Sequence, residues 1–220
     1  QLHNLWLVLP PSSSIWPRED LLVTLALALA RDGNAADAAR LLAAANRIRP
    51  LPVFYNNRGV DHADHGREAE ALADFNEAIY LNPVYATAYI NRGSLYRKQS
   101  RPDQALSDYN EAIRLDPTDA TAYNNRGNLH DDHGREAEAL ADYNEAIRLN
   151  PAYATVLYNR GSLHAEHGRA DEALTDFTKA IRLNPTDAVA FHNRGSLYAN
   201  HGHYAEALAD YSEAIRLDPA

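Results

Sequence analysis

A proline recurs at intervals of 34 residues along this chain, at Pro83, Pro117, Pro151, Pro185 and Pro219. The residues around these prolines recur as well, and segments 64–74 and 132–142 both read DHGREAEALAD. A fixed period of this length is typical of a solenoid, in which short units stack and each packs against its neighbours. Stacked units form long surfaces rather than one enclosed pocket, so the period also limits the functions that the chain can have.

Each repeat contains two amphipathic helical segments. In one complete unit the pattern predicts a first helix over about Thr121–His133 and a left-handed turn at Gly134. A second helix is predicted from Glu136 to the residue before Asn150–Pro151, because proline cannot continue a helix. The predicted boundaries are an extended tail at 1–18, a degenerate repeat at 19–51, and complete repeats at 52–85, 86–119, 120–153, 154–187 and 188–220.

The repeated residues resemble the tetratricopeptide repeat, whose signature places aromatic, small and proline residues at fixed offsets in a helix–turn–helix unit. The resemblance covers residues 19–220 and implies an all-α fold, a right-handed superhelix of six helix–turn–helix units without a C-terminal capping helix. The matching residues of one unit are Tyr123, Arg126–Gly127, His130, Ala139, Tyr143, Ala146 and Pro151. Two departures stand out: arginine replaces the family's leucine in five units, and histidine replaces the second aromatic at His62, His130 and His164.

Each of the five substituting arginines is followed sixteen residues later by an aspartate on the second helix. A residue in place of a packing leucine should be at least partly buried, so we predict internal, charge-assisted pairs rather than solvated surface charges. The predicted structural ladder is Arg58–Asp74, Arg92–Asp108, Arg126–Asp142, Arg160–Asp176 and Arg194–Asp210.

An asparagine precedes each arginine on the first helix, at Asn57, Asn91, Asn125, Asn159 and Asn193. In the family that the repeats resemble, first helices line the concave surface. The row is similar to the asparagine ladder of the O-linked N-acetylglucosamine transferase repeats, where side-chain amides hold the backbone of an extended peptide. An amide suits this role because it both donates and accepts hydrogen bonds. Hydrogen bonding between helices within the array is the alternative.

A second binding mode of the family, in which basic inner residues hold a C-terminal carboxylate, is not expected. Only Arg97 and Lys98 are basic among the predicted inner positions. The other inner positions are mostly polar or acidic: Asn56, Asp64, Asn124, Asn128, Asp131, Asp132, Ser162 and Glu166.

Composition and motifs exclude several classes of function. The net charge of −9 argues against a nucleic-acid partner, and no segment is apolar for long enough to predict a membrane span. The histidine pairs His62/His65, His130/His133 and His164/His167 have no recurrent third ligand, so no metal and no cofactor are predicted. No catalytic constellation is apparent, and we expect no enzyme activity. The compartment stays open, with a secreted or cell-surface location slightly favoured over the cytoplasm.

Both ends of the array are apolar, which suggests self-association. The first helix contains the apolar run Leu21–Ala30, whereas terminal repeats of solenoids normally present polar faces. Two unlike apolar ends make a heterologous contact that closes into rings or extends as fibres. We therefore expect a non-enzymatic structural subunit that stacks head-to-tail into a filament. The predicted assembly residues are Leu5, Trp6, Leu7, Trp16, Leu21, Leu25, Tyr211, Ile215 and Leu217.

Two alternatives to the filament remain open. The first is a monomeric adaptor that binds extended peptides in the asparagine-lined groove. The second is a regulatory repeat domain of a longer enzyme.

Overall fold

The computed structural model describes residues 51–218 continuously and, before them, residues 25, 29, 36, 37 and 39–41. The contacts divide the chain into two compact units, residues 1–88 and 89–220. The helices of the continuous part are α1 (Pro52–Asp64), α2 (Glu68–Leu81), α3 (Ala86–Lys98), α4 (Pro102–Leu115), α5 (Ala120–Asp131), α6 (Glu136–Leu149), α7 (Ala154–Glu166), α8 (Ala170–Leu183), α9 (Ala188–Asn200) and α10 (Tyr204–Leu217).

The structure shows an all-helical chain of helix–turn–helix units over the continuously described residues, as the resemblance implies. The predicted tail at 1–18 lies outside the described residues, as do Leu5, Trp6, Leu7, Trp16 and Leu21. Of the predicted degenerate repeat at 19–51, only scattered residues are described, among them Leu25, which lies in helical backbone and is partly buried.

A left-handed residue ends the first helix of a repeat. Helix α5 stops at Asp131, two residues earlier than the predicted His133, and Gly134 follows with a φ of +66°. The N–H of Arg135 donates to the carbonyl of His130 at 2.9 Å, which satisfies a carbonyl left open at the helix end. This cap, rather than the end of the apolar pattern, fixes the length of α5.

The recurrent proline marks the turn between one repeat and the next. Pro151 comes two residues after the end of α6, where Asn150 leaves the helical conformation (φ −133°, ψ 89°) and its side-chain oxygen accepts from the N–H of Ala152 at 3.2 Å. The hydrogen bond to the Asn150 side chain stabilises this turn, and the proline prevents the second helix from continuing. The 34-residue period of the prolines therefore marks the end of the second helix in each repeat.

The two helices of a repeat approach closely because a glycine faces an aromatic ring. A Cβ atom added at Gly127 of α5 would lie 2.8 Å from the ring of Tyr143 on α6. Tyr143 is buried together with Ala139 and Ala146, which lie on one face of α6. The same pairs in the other described repeats are Gly59–Phe75, Gly93–Tyr109, Gly161–Phe177 and Gly195–Tyr211.

The arginine and the aspartate sixteen residues later form a two-pronged ion pair in each described repeat. In one of them, Nε and Nη2 of Arg126 donate to the two carboxylate oxygens of Asp142 at 2.8 and 2.6 Å. Asp142 is only 5% exposed, whereas the arginine keeps partial contact with solvent. Equivalent pairs with distances of 2.6–2.8 Å are Arg58–Asp74, Arg92–Asp108, Arg160–Asp176 and Arg194–Asp210.

The third arginine nitrogen connects neighbouring repeats in the unit 89–220. Nη1 of Arg126 donates to Asn110 of α4 at 2.7 Å, and Nη1 of Arg160 donates to Asn144 of α6 at 2.5 Å. Nη1 of Arg194 reaches the hydroxyl of Thr178 on α8 at 3.1 Å. Each of these arginines therefore holds the second helix of its own repeat and the second helix of the preceding one.

We expect Arg126→Leu, which restores the family's usual residue, to lower the free energy of unfolding by about 3–5 kcal/mol, because Asp142 would stay buried without its cation. The double substitution Arg126→Leu/Asp142→Leu should recover most of this loss. The control is Arg148→Leu, since the Arg148–Glu145 pair is exposed and should contribute about 0.5 kcal/mol. Urea unfolding followed by circular dichroism measures all three, and equal stability of Arg126→Leu and wild type would show that the pair is not structural.

Candidate peptide-binding groove

An open groove of about 540 Å³ runs along the first helices of the unit 89–220. Helices α3, α5, α7 and α9 contribute its walls, and the buried rings of Tyr143 and Phe177 reach it from the second helices. The lining residues are Arg97, Asn128, Asp131, Asp132, Tyr143, Tyr158, Asn159, Ser162, Ala165, Glu166, Phe177, Asn193, Ser196, Leu197 and Asn200.

The chemistry of this groove is polar rather than apolar. Amides, hydroxyls and carboxylates predominate in it, and an amide can donate to a peptide carbonyl and accept from a peptide N–H without requiring a particular side chain. The rings on its floor are fixed by burial and, for Tyr143, by a hydrogen bond from its hydroxyl to the side-chain oxygen of Asn128 at 2.8 Å. The groove therefore offers a rigid, hydrogen-bonding surface for an extended chain.

Two of the five predicted asparagines, Asn159 and Asn193, line this groove. Asn125 is half-buried on α5 and Asn91 is half-buried on α3, and neither is among the lining residues. Asn57 is exposed on α1 in the unit 1–88. The structure thus does not bring the whole predicted row together in one described groove.

The amide nitrogens of the asparagines in the unit 89–220 also connect repeats. Asn159 donates to the side-chain oxygens of Asn124 at 3.0 Å and Asn128 at 2.9 Å, both on α5. Asn193 of α9 donates to the hydroxyl of Tyr158 on α7 at 2.7 Å. The alternative of hydrogen bonding within the array therefore occurs at these positions. No described residue donates to the carbonyl oxygen of Asn159 or Asn193, so these acceptors remain available in the groove.

Three carboxylates lie at the ends of the first helices in the groove. Asp132 is paired with Arg97 of α3, whose Nε donates to it at 2.6 Å. Asp131 and Glu166 have no cationic partner among the described residues. Burial raises the pKa of Asp131, and the nearby negative charges of Glu166 and Asp132 raise it further.

The sequence predicts inner positions for these carboxylates but no role. The differences between repeats do indicate which groove positions are specialised. The position of Asp131 is alanine in three other repeats (Ala63, Ala165 and Ala199), whereas Asn128 stands where Ser94, Ser162 and Ser196 occur elsewhere. Because the repeats are otherwise close copies, residues that differ on the groove side mark where the surface is specialised.

Five of the six paired histidines use Nδ1 for a hydrogen bond within the protein, whereas Nδ1 of His130 is buried without a partner among the described residues. His133 and His167 each contact the backbone carbonyl four residues earlier through Nδ1, at 2.8 and 2.9 Å. His164 accepts from Nε of Arg169 at 2.8 Å, and burial lowers its pKa and that of His130. Over the described part of the chain, no three potential ligands cluster as a metal site.

Within the same described residues, no helix combines the length and the apolar character needed to cross a membrane.

Models of the tetratricopeptide repeat match residues 56–120, 90–154 and 124–188, and a further model of this repeat matches 188–220. The chain belongs to the tetratricopeptide repeat family. Members of this family mediate protein–protein contacts and are generally non-catalytic scaffolds. No curated protein matches the chain.

Solved structures of other tetratricopeptide repeat proteins are similar to the chain. A repeat protein from Parabacteroides merdae is 25% identical, with a TM-score of 0.66, and the match covers 90% of this chain and 79% of that one. PilF of Pseudomonas aeruginosa is 22% identical, with a TM-score of 0.72 and 75% of both chains covered, and shows the fold alone. YrrB, described as having an unusual peptide-binding site, is 26% identical with a TM-score of 0.58 over 75% of this chain and 85% of its own.

We expect Asn159→Ala to lower the free energy of unfolding by about 1–3 kcal/mol, because it removes two hydrogen bonds between repeats. The control is Asn200→Ala, an exposed groove residue, which should change stability by less than about 0.5 kcal/mol. Thermal and urea unfolding of both variants measure the difference. If Asn159→Ala is as stable as the control, the amide does not hold adjacent repeats together.

Proposed function

We propose that the chain is an adaptor that binds an extended peptide segment of a partner protein in the groove of the unit 89–220. The observation that carries this proposal is the pair of open amide oxygens, those of Asn159 and Asn193, in a polar groove of about 540 Å³. These oxygens can accept from two separate N–H groups of an extended peptide backbone, as the predicted peptide-holding role of the asparagine row requires. The peptide-binding site named for YrrB, a structurally similar repeat protein, supports the same assignment.

The asparagines suit this role because their amide nitrogens are already fixed. Asn159 and Asn193 each donate to the preceding first helix, so the orientation of the amide is set before a ligand arrives. A preorganised acceptor loses less side-chain entropy on binding than a free one. The amide nitrogen can thus hold adjacent repeats together while the amide oxygen of the same side chain accepts from the peptide.

Selection of a random twelve-residue peptide library on the full chain tests this proposal. Selected peptides should bind in fluorescence polarisation, and Asn193→Ala should weaken them by roughly tenfold, the value of one hydrogen bond in a desolvated groove. Asn200→Trp should abolish binding without changing the melting temperature, because Asn200 is an exposed lining residue and the indole would fill the groove. Selected peptides that bind both variants as tightly as wild type would contradict the proposal.

A second candidate function, head-to-tail self-association, is favoured by an apolar face on the last described repeat. Ile215 is 67% exposed and Leu208 is 68% exposed, and Ile215 shares a shallow cleft with Val189. At the position equivalent to Ile215 one repeat earlier, Ile181 is only 8% exposed. The face is therefore of the kind that a further repeat covers, and we propose a second copy of the chain as the occupant.

The predicted counterpart in this contact, around Leu21, lies outside the described residues. Tyr211 and Leu217, also predicted for assembly, are half-buried on α10, and the hydroxyl of Tyr211 donates to Ser196 at 3.1 Å. Together with Tyr204, which is 73% exposed at the start of α10, Leu208 and Ile215 are therefore the large apolar residues of this helix that are open to a partner.

If the chain self-associates through this face, Ile215→Glu should reduce assemblies to monomers without loss of helicity, because a buried unpaired carboxylate opposes association. Val84→Glu, at an exposed apolar residue of the unit 1–88, is the control and should leave assembly unchanged. Sedimentation velocity over a hundredfold range of concentration measures this. A wild-type chain that stays monomeric throughout the range would contradict self-association and leave the adaptor function.

A further inference from the structure

We infer that the bound peptide is basic, and that an arginine or lysine side chain of it sits between Asp131 and Glu166. This inference rests on the proposed peptide-binding function and adds the chemistry of the partner. Asp131 is the last residue of α5 and Glu166 the last residue of α7, and both line the groove. The occupant is therefore an extended, cationic segment of another protein.

The two carboxylates lack a cation that the protein itself could supply. Arg97 is the only cationic residue that lines the groove, and both of its hydrogen bonds go to Asp132, at 2.6 and 3.4 Å. Asp131 receives only a hydroxyl contact from Tyr143, at 3.4 Å. A cationic side chain would thus find two unpaired carboxylates on adjacent first helices.

The protein bears an electrostatic cost for this arrangement. Burial and the charges of Glu166 and Asp132 raise the pKa of Asp131, while the hydroxyl of Tyr143 and the ring of His167 act in the opposite direction. Both carboxylates also lie at helix C-termini, where the backbone carbonyls already produce negative potential. A bound guanidinium or ammonium group would offset the repulsion, which gives a basic ligand an advantage over a neutral one.

The fold itself does not require an acid at this position. Alanine occupies it in three other repeats, at Ala63, Ala165 and Ala199, and arginine occupies it at Arg97. Since these repeats form the same helix pair, Asp131 is a specialisation of the groove surface rather than a packing residue.

Ser162 supplies an independent indication of a ligand. Its hydroxyl lies one helical turn before Glu166 on a groove-lining residue and is buried without a hydrogen-bond partner among the described residues. The equivalent hydroxyls of Ser94 and Ser196 donate to the carbonyls of Ile90 and His192, at 2.9 and 3.0 Å. Buried hydroxyls are normally paired, so a peptide carbonyl beside Glu166 would complete this one.

The test uses the full chain and the peptides selected from the random library. They should be enriched in arginine or lysine, and replacing the basic residue with citrulline or norleucine should weaken binding by about tenfold to a hundredfold, the range for a charge-assisted contact. Asp131→Asn and Glu166→Gln should each weaken the basic peptide to a similar degree. Asp171→Asn, an exposed carboxylate of α8 outside the groove, is the matched control and should bind as wild type does.

A stability measurement separates loss of the site from loss of the fold. Because the pKa of Asp131 is raised in the folded chain, its ionisation opposes folding, and the penalty applies above the folded pKa and disappears as the pH falls below the unfolded value. Asp131→Asn should therefore raise the melting temperature at pH 7, lose that gain at low pH, and still bind the basic peptide poorly. Reduced binding together with a lower melting temperature at pH 7 would contradict the inference.

Reversing the charge at position 166 tests the electrostatic contact directly. Glu166 is exposed, so Glu166→Lys should fold normally and bind an analogue with glutamate at the basic position better than the original peptide. If selected peptides are blocked by Asn200→Trp but contain no basic residue and ignore Asp131→Asn, the inference is wrong and peptide binding stands. If no selected peptide is blocked by Asn200→Trp, the proposed function itself fails.

Discussion

The rest of the structure depends on one ion pair, that between the arginine of the first helix and the aspartate of the second. Arg126 binds both carboxylate oxygens of Asp142, and its remaining nitrogen reaches Asn110 of the preceding repeat. A leucine could fill the same space but could not direct three hydrogen bonds at fixed angles. Buried ion pairs add little net stability, so we attribute to this one the register of the helices within and between neighbouring repeats.

Register matters because the groove residues stand beside the arginine. Asn159 precedes Arg160 on α7, and a one-residue step turns the side chain by about 100° around the helix. When Arg160 is fixed to Asp176 and Asn144, Asn159 is directed towards α5, where it binds Asn124 and Asn128. The ion pair that fixes the scaffold thus also orients the amides of the groove. Replacing either the arginine or the aspartate should therefore disturb both the helix packing and the groove.

The sequence alone could predict much of the fold, since the prolines, glycines and apolar faces act locally and recur. It could also predict the Arg126–Asp142 pairing, because the sixteen-residue interval recurs and the arginine stands where the family has a packing leucine. It could not predict where the groove lies: Asn159 lines the groove while Asn125 does not, although the two are equivalent in sequence. The difference arises from neighbouring residues of other repeats, such as Asn128 and Tyr158, whose contacts depend on tertiary packing.

The location of a bound peptide on the chain tests peptide binding in the groove most directly. Backbone amide signals of the ¹⁵N-labelled protein should be followed by NMR during titration with a selected arginine-containing peptide. We expect the largest shifts at Asp131, Asn159, Ser162, Glu166 and Asn193, and we expect these shifts to shrink when the arginine is replaced by citrulline. Shifts concentrated on α10 around Leu208 and Ile215, with none in the groove, would contradict this binding site.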